Sequence, residues 1–190
     1  FKRPCNSCFS RKNSYLMQTL QGNFIKLRAL EPEDLEFLFQ IENNEIFWEV
    51  SHTQTPFSKF MIKNYLENAH LDIYETKQLR LIIEEKSNAN KVGMIDLFDF
   101  NPQHKRAGIG ILIHPDSQQK GFASEALSIL IQYAFTHLHL HQLFANILTD
   151  NEKSLQLFMK YSFKKVGIKK EWIFSEGKMK DEILFQLIKE

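Results

Sequence analysis

Three short apolar runs in immediate succession constrain this chain more than any other feature. They are Gln78 to Glu84, Val92 to Phe100 and Ala107 to His114, separated only by turn-forming residues around Ser87-Asn88-Ala89-Asn90 and Asn101-Pro102. Connections this short join neighbouring antiparallel strands, so the three runs predict a meander. Pro115 ends the third run, and a helix is expected from Phe122 to His137. A strand over His141 to Leu148, a helix over Glu152 to Tyr161, and strands over Lys164 to Phe174 and Met179 to Leu187 complete the C-terminal part. Ahead of the meander, Ile25, Leu27 and Ala29 alternate with Lys26 and Arg28 in a half-buried strand spanning 23–30. Glu31-Pro32-Glu33-Asp34 then carries the Pro and acids of a helix start, followed by an apolar stripe at Leu35, Phe37 to Phe39 and Ile41. A second helix is expected from Pro56 to Ala69, with Phe57, Phe60, Met61 and Tyr65 at helical spacing. The order β-α-α-β-β-β-α-β-α-β-β predicts an α+β fold, a mixed sheet flanked by helices.

The 190 residues are 43% hydrophobic and 25% charged, which fits one globular domain rather than a disordered or fibrous chain. Lys+Arg 24 against Asp+Glu 23 leaves +1, so net charge predicts no nucleic-acid partner. No apolar run approaches membrane-spanning length, and no membrane association is expected. Residues 1–16 differ in being basic, with no acid before Glu31, and they lack the apolar segment of a secretory signal. A transit peptide shares that composition. Met17 followed by Gln18 to Gly22 reads better as the start of a domain spanning 17–190 behind a disordered, non-functional leader. Cys5 and Cys8 form a CxxC inside that leader without a second pair to complete a zinc site. From Gly22 onward there is no cysteine, which fits a reducing, cytoplasmic location. His137, His139 and His141 span a predicted helix end and strand start, so they need not converge, and no metal is expected.

The chemistry is expected at Ile109 to Ala126, where a buried strand passes through the polar turn Asp116 to Lys120 into an amphipathic helix. The first amides of a helix lack internal acceptors and sit at the positive end of its dipole, a natural phosphate site. Gly121 allows close backbone approach, Ala123 keeps it open, and Lys120 adds a cation. Neither GxxxxGK[ST] nor GxGxxG is present, because Gly108-Ile109-Gly110 lies inside the strand.

Gln118-Gln119-Lys120-Gly121-Phe122-Ala123, between strand and helix, resembles the Q/R-x-x-G-x-G/A loop of the GNAT family of N-acetyltransferases. Asn151 to Ser154 and Leu157 to Phe163 resemble that family's N-x-x-S/A-x-x-L-Y-x-K-x-G-F segment. The resemblance runs from about Gly22 to the C-terminus and is nearest the branch of spermidine and ribosomal-protein N-terminal acetyltransferases. It implies acetyl-CoA as co-substrate and a small-molecule or peptide amine as acceptor, with a homo-oligomer compatible. The backbone of Ile111, Leu112 and Ile113 would hold the pantetheine arm as an added strand, and an N–H there would polarise the thioester carbonyl. Gln118, Gln119, Lys120, Gly121, Phe122, Ala123 and Ser124 would surround the diphosphate. Asn151 would contact the cofactor or an ordered water, with Ser154 and Phe158 along the pantetheine. Asn151 also suits a helix N-cap, and one residue can do both.

Two positions depart from the family pattern. The Tyr that donates a proton to the leaving thiolate falls at Phe158, and the Gly before the final Phe is Ser162. Tyr161, three residues on, is about 60° of helical rotation from the same direction and is a candidate substitute acid. A thiol with pKa about 8.5 leaves far more readily than an amine, so a missing acid costs about 10²–10⁴ rather than all activity. The family's strand Glu that serves as base falls at Gly108. Candidate bases are Asp96, Asp99 and Glu49, the last in an expected Phe47-Trp48-Glu49 loop. Asp96 and Asp99 are three apart, so a regular strand directs them to opposite faces unless a bulge intervenes. Glu42, Glu45, Trp48 and Glu49 would line the acceptor side and suit a cationic amine such as a polyamine, or form an ordinary exposed helix end. Direct acetyl transfer, a non-catalytic acyl-CoA sensor on the same fold, and a nucleic-acid binder resting on the basic leader are the competing readings.

Overall fold

The computed structural model describes residues 18–190, so the leader over 1–16 with Cys5 and Cys8 lies outside the described residues. Strands β1 (Ile25–Arg28), β2 (Leu79–Glu85), β3 (Lys91–Asn101), β4 (Arg106–Ile113), β5 (Gln142–Leu148), β6 (Lys164–Ser175) and β7 (Lys178–Ile188) form one sheet in the order β1-β2-β3-β4-β5-β7-β6. β4 and β5 are parallel neighbours, and every other pair is antiparallel. The mixed α/β sheet flanked by helices is the architecture expected from the order of apolar runs. Helices α1 (Leu35–Glu42), α2 (Glu45–Ser51), α3 (Lys59–Glu67) and α4 (Ile73–Thr76) precede β2; α5 (Phe122–Thr136) and α6 (Glu152–Lys160) flank β5.

Strand alternation sorts the two faces. Leu38, Ile41, Phe47 and Ile62 of α1–α3 pack with Ile82 and Met94 on one face. Ala126, Leu127, Leu130 and Phe158 of α5 and α6 pack with Leu81, Ile95, Ile109 and Leu143 on the other. At about 25 cal/mol per Å² of apolar area, these two cores are the main stabilising term. Asp34, fully buried, anchors the first face: it accepts from Arg28 Nη1 at 2.7 Å and Nη2 at 2.9 Å and pairs with Lys91 Nζ at 2.7 Å. Those cations outweigh the burial and hold its pKa down at about 2.

Two local features differ from expectation. Residues 45–51 are helix rather than loop, because the Asn44 side chain accepts the Ile46 amide at 3.1 Å and caps the first turn. α3 starts at Lys59 rather than Pro56, because Ser58 is its cap, accepting from Met61 N at 3.1 Å. Its buried side is therefore Ile62 with Leu66, and Phe60 and Met61 face outward.

Candidate active site

The sheet opens between its parallel strands. β4 and β5 pair only at Arg106–Gln142, Ala107–Leu143 and Gly108–Phe144, although β4 continues to Ile113 and β5 to Leu148. Beyond Gly108 the outer edge of β4 therefore has no strand neighbour among the described residues. Phe98 closes the paired end: its ring meets Phe144 edge-on at 5.7 Å and lies over Gly108. A Cβ on Gly108 would stand 2.3 Å from that ring, so the position where the family carries its Glu has no room for any side chain. A cavity of about 470 Å³ occupies the gap, reaching α1 and α2 on one face and α6 on the other.

On the α6 face, Ile109 and Ile111 oppose Ser154 and Phe158 across the cavity. Asn151 caps α6, accepting from Ser154 N at 3.1 Å, and lines the cavity at the same time. Phe158 is buried, set edge-on to Phe163 at 5.0 Å, and offers no proton. Just past β4, Gly121 caps α5 with φ +84, and a Cβ there would meet nothing within 4 Å. The amides of Gln119, Lys120, Gly121, Phe122, Ala123 and Ser124 have no acceptor among the described residues. This is an open cradle of donors at a positive helix end. Gln118 ties the turn down, donating to Ile113 O at 3.3 Å and accepting from Lys153 Nζ at 3.3 Å. Lys160 Nζ, 2.8 Å from Ser124 Oγ, adds a cation that sequence reasoning missed. Its place in the Y-x-K segment was the available signal.

The opposite face is acidic. Glu42, Glu49, Asp96, Asp99 and Glu182 line it, against Arg80 and His52. Asp96 and Asp99 reach the same cavity because β3 carries a bulge after Phe98, with Asp99 at φ +48. Arg80 is committed: its Nε and Nη2 donate to Asp96 at 2.9 Å each, and Nη1 bonds Glu42. Those carboxylates outweigh burial and keep the guanidinium charged. Glu182, 3% exposed, accepts from Lys169 Nζ at 2.7 Å. It escaped the sequence reading because only pairing of β5 with β7 brings it to the gap. Asp99 is exposed and has no cationic partner among the described residues.

Two candidate catalytic groups are reassigned by these contacts. Glu49 lies on helix α2 and bonds Lys180, which pulls its pKa below the ordinary carboxylate range and makes it a poorer base. Tyr161 does not line the cavity. Its hydroxyl donates to the Ser124 carbonyl at 2.6 Å, which anchors α6 to α5 and directs that proton away from the cavity. Trp48 donates Nε1 to Glu42 O at 2.9 Å, and Glu45 is exposed away from the cavity. Among the described residues no three His, Cys, Asp or Glu side chains converge as a metal set. Among the described residues no helix is long and apolar enough to cross a membrane.

A mixed sheet split between parallel strands, with a donor cradle beyond one edge and carboxylates across from it, defines an acyltransferase architecture. The chain belongs to the GNAT family: residues 25–164 match the Acetyltransferase (GNAT) domain. It is 30% identical over 162 residues to spermidine N(1)-acetyltransferase of Escherichia coli (strain K12), covering 84% of this chain and 83% of that protein. The enzyme of the same name from Vibrio cholerae is 30% identical over 160 residues, covering 83% and 88%. A crystal structure of spermidine N-acetyltransferase from Vibrio cholerae in complex with CoA and spermine superposes with TM-score 0.79 at 27% identity, covering 86% of this chain and 95% of that one. A dodecameric structure of the Vibrio cholerae enzyme gives TM-score 0.73 at 29% identity, covering 86% and 93%. The protein is thus an N-acetyltransferase of GNAT type, similar to spermidine N-acetyltransferases.

Proposed function

We propose that this enzyme transfers the acetyl group of acetyl-CoA to a primary amine of a polyamine such as spermidine, by direct attack. The observation that carries this reading is the acceptor face of the gap, where five carboxylates stand against Arg80 and His52. Arg80 serves Glu42 and Asp96, Lys169 serves Glu182 and Lys180 serves Glu49. Five carboxylates against three cations leave a negative surplus, with Asp99 unpaired among the described residues, that attracts a flexible polycation. The open turn at Gly121 and the free edge of β4 fit the diphosphate and pantetheine of the co-substrate. When bound, acetyl-CoA supplies an activated acetyl carbon and a thiolate leaving group.

The residues then divide the work. Amides from Gln119 to Ser124 hold the diphosphate, with Lys120 and Lys160 adding charge. The Ile111 to Ile113 edge of β4 aligns the pantetheine arm and turns an N–H onto the thioester carbonyl. Asn151 and Ser154 border the arm, and Phe158 packs beside it. Asp99, free of a cation among the described residues, accepts the proton that an ammonium of pKa about 10.4 must lose before attack. With Phe158 in place of a Tyr, the departing thiolate takes its proton from water. The related dodecamer supports an assembly of identical chains for this enzyme as well.

Thiol release from acetyl-CoA, followed against spermidine, spermine, a peptide N-terminus and an aminoglycoside, tests the reading. Turnover with the two polyamines is expected. CoA binding by calorimetry without thiol release on adding either polyamine refutes it.

A further inference from the structure

We propose that Lys180 is a positioning residue that holds the acceptor wall and the cofactor wall of the gap in register. Resting on the reading of the gap given above, it assigns a role to a cation outside the site as described. Lys180 lies on β7, is 8% exposed, and gathers three carboxylates from three separate segments. It bonds Glu49 on α2, pairs with Asp150 Oδ2 at 3.0 Å, and reaches Glu176 Oε2 at 3.4 Å beside the β6–β7 turn. Asp150 directly precedes Asn151, which caps α6 and lines the cavity, while Glu49 lines the cavity from the other face. The ammonium is therefore a bracket between α2 and the start of α6. Its pKa is raised by the three partners, so it stays charged throughout the working range.

The physical consequence runs through orphaned charge. Without Lys180, Glu49 and Asp150 repel each other, and the turn that sets Asn151 keeps only its backbone tie to β7, Thr149 N to Asp181 O at 3.1 Å. Loosening either carboxylate should be felt at the opposite wall, because both depend on one ammonium. Coulomb attraction alone predicts the reverse sign at Glu49. Deleting a negative charge near the gap should tighten binding of polyanionic CoA, whereas losing the bracket should weaken it.

Calorimetric titration of CoA into the wild type, Glu49→Ala, Asp150→Asn, Lys180→Met and the pairwise combinations decides the matter. Glu49→Ala, on the wall opposite the cofactor turn, is expected to raise the Kd for CoA roughly three- to tenfold. That effect is expected to vanish in the Lys180→Met background. Thermal unfolding of each sample establishes that it is folded. If Lys180→Met does not fold, the Glu49→Ala and Asp150→Asn cycle carries the test, since a shared ammonium makes their effects non-additive. An unchanged or lower Kd in Glu49→Ala, or additive effects of the two carboxylate changes, overturns the proposal. Failure of the wild type to bind CoA is a different result and takes down the functional reading on which it rests.

Discussion

Substituting Asp for Gly121 places a carboxylate in the open turn at the head of α5. A side chain there meets nothing within 4 Å, so no clash contributes and the perturbation is electrostatic plus conformational. The conformational part comes from φ +84, a left-handed backbone that costs an L residue about 1–2 kcal/mol, somewhat less for Asp. It falls on fold stability and lowers Tm by about 2–4 °C per kcal/mol for a chain of this size. The electrostatic part falls on the diphosphate. Two unit charges at about 5 Å repel by roughly 0.8 kcal/mol in water and 3 kcal/mol at an effective dielectric of 20. Gly121 is exposed, so a value near 2 kcal/mol is expected, or roughly 30-fold in Kd for CoA. Gly121→Ala carries the conformational penalty without the charge. Calorimetry on both variants, with thermal unfolding alongside, separates the two parts. Equal Kd values for the Asp and Ala variants would refute the assignment of this turn to the diphosphate.

Asp99→Asn should lower kcat/KM for spermidine by about 10²–10⁴ at neutral pH with Kd for CoA unchanged. Such a loss in Glu49→Gln with Asp99→Asn unaffected would move the base to Glu49. Phe158→Tyr restores a hydroxyl beside the leaving thiolate and should raise kcat roughly 10- to 100-fold in the thiol-release assay; a folded variant without gain refutes proton delivery as limiting. Gly108→Ala forces a Cβ to within 2.3 Å of the Phe98 ring and should cost about 1–3 kcal/mol by overpacking, read as a lower denaturation midpoint. Asp34, lowered from 3.8 to about 2 in the fold, contributes about 2 kcal/mol above pH 4, and that stability is lost as pH falls toward 2. Denaturation curves between pH 5 and 2 should show this segment in the wild type and lack it in Asp34→Asn.

Much of the fold is legible along the chain. The three meander strands and α5 announce themselves by periodicity and by turn residues at their ends, because local burial pattern and local backbone preference agree there. Helix α2 did not, since its seven residues are too short for a periodic signal, and a single cap at Asn44 defines it. Bulges are equally silent: Asp96 and Asp99 share a face only because β3 shifts register after Phe98.

The open turn at the head of α5 was legible in the sequence alone, because a row of unpartnered consecutive amides around Gly121 is set by local backbone chemistry and so travels with its motif. Tertiary structure decided the rest of the site. Lys180 engages Glu49, the Ser124 carbonyl takes the Tyr161 hydroxyl, and strand pairing carries Glu182 to the gap. Side-chain chemistry depends on which groups stand within a few ångströms, and those neighbours come from segments 34 to 131 residues away.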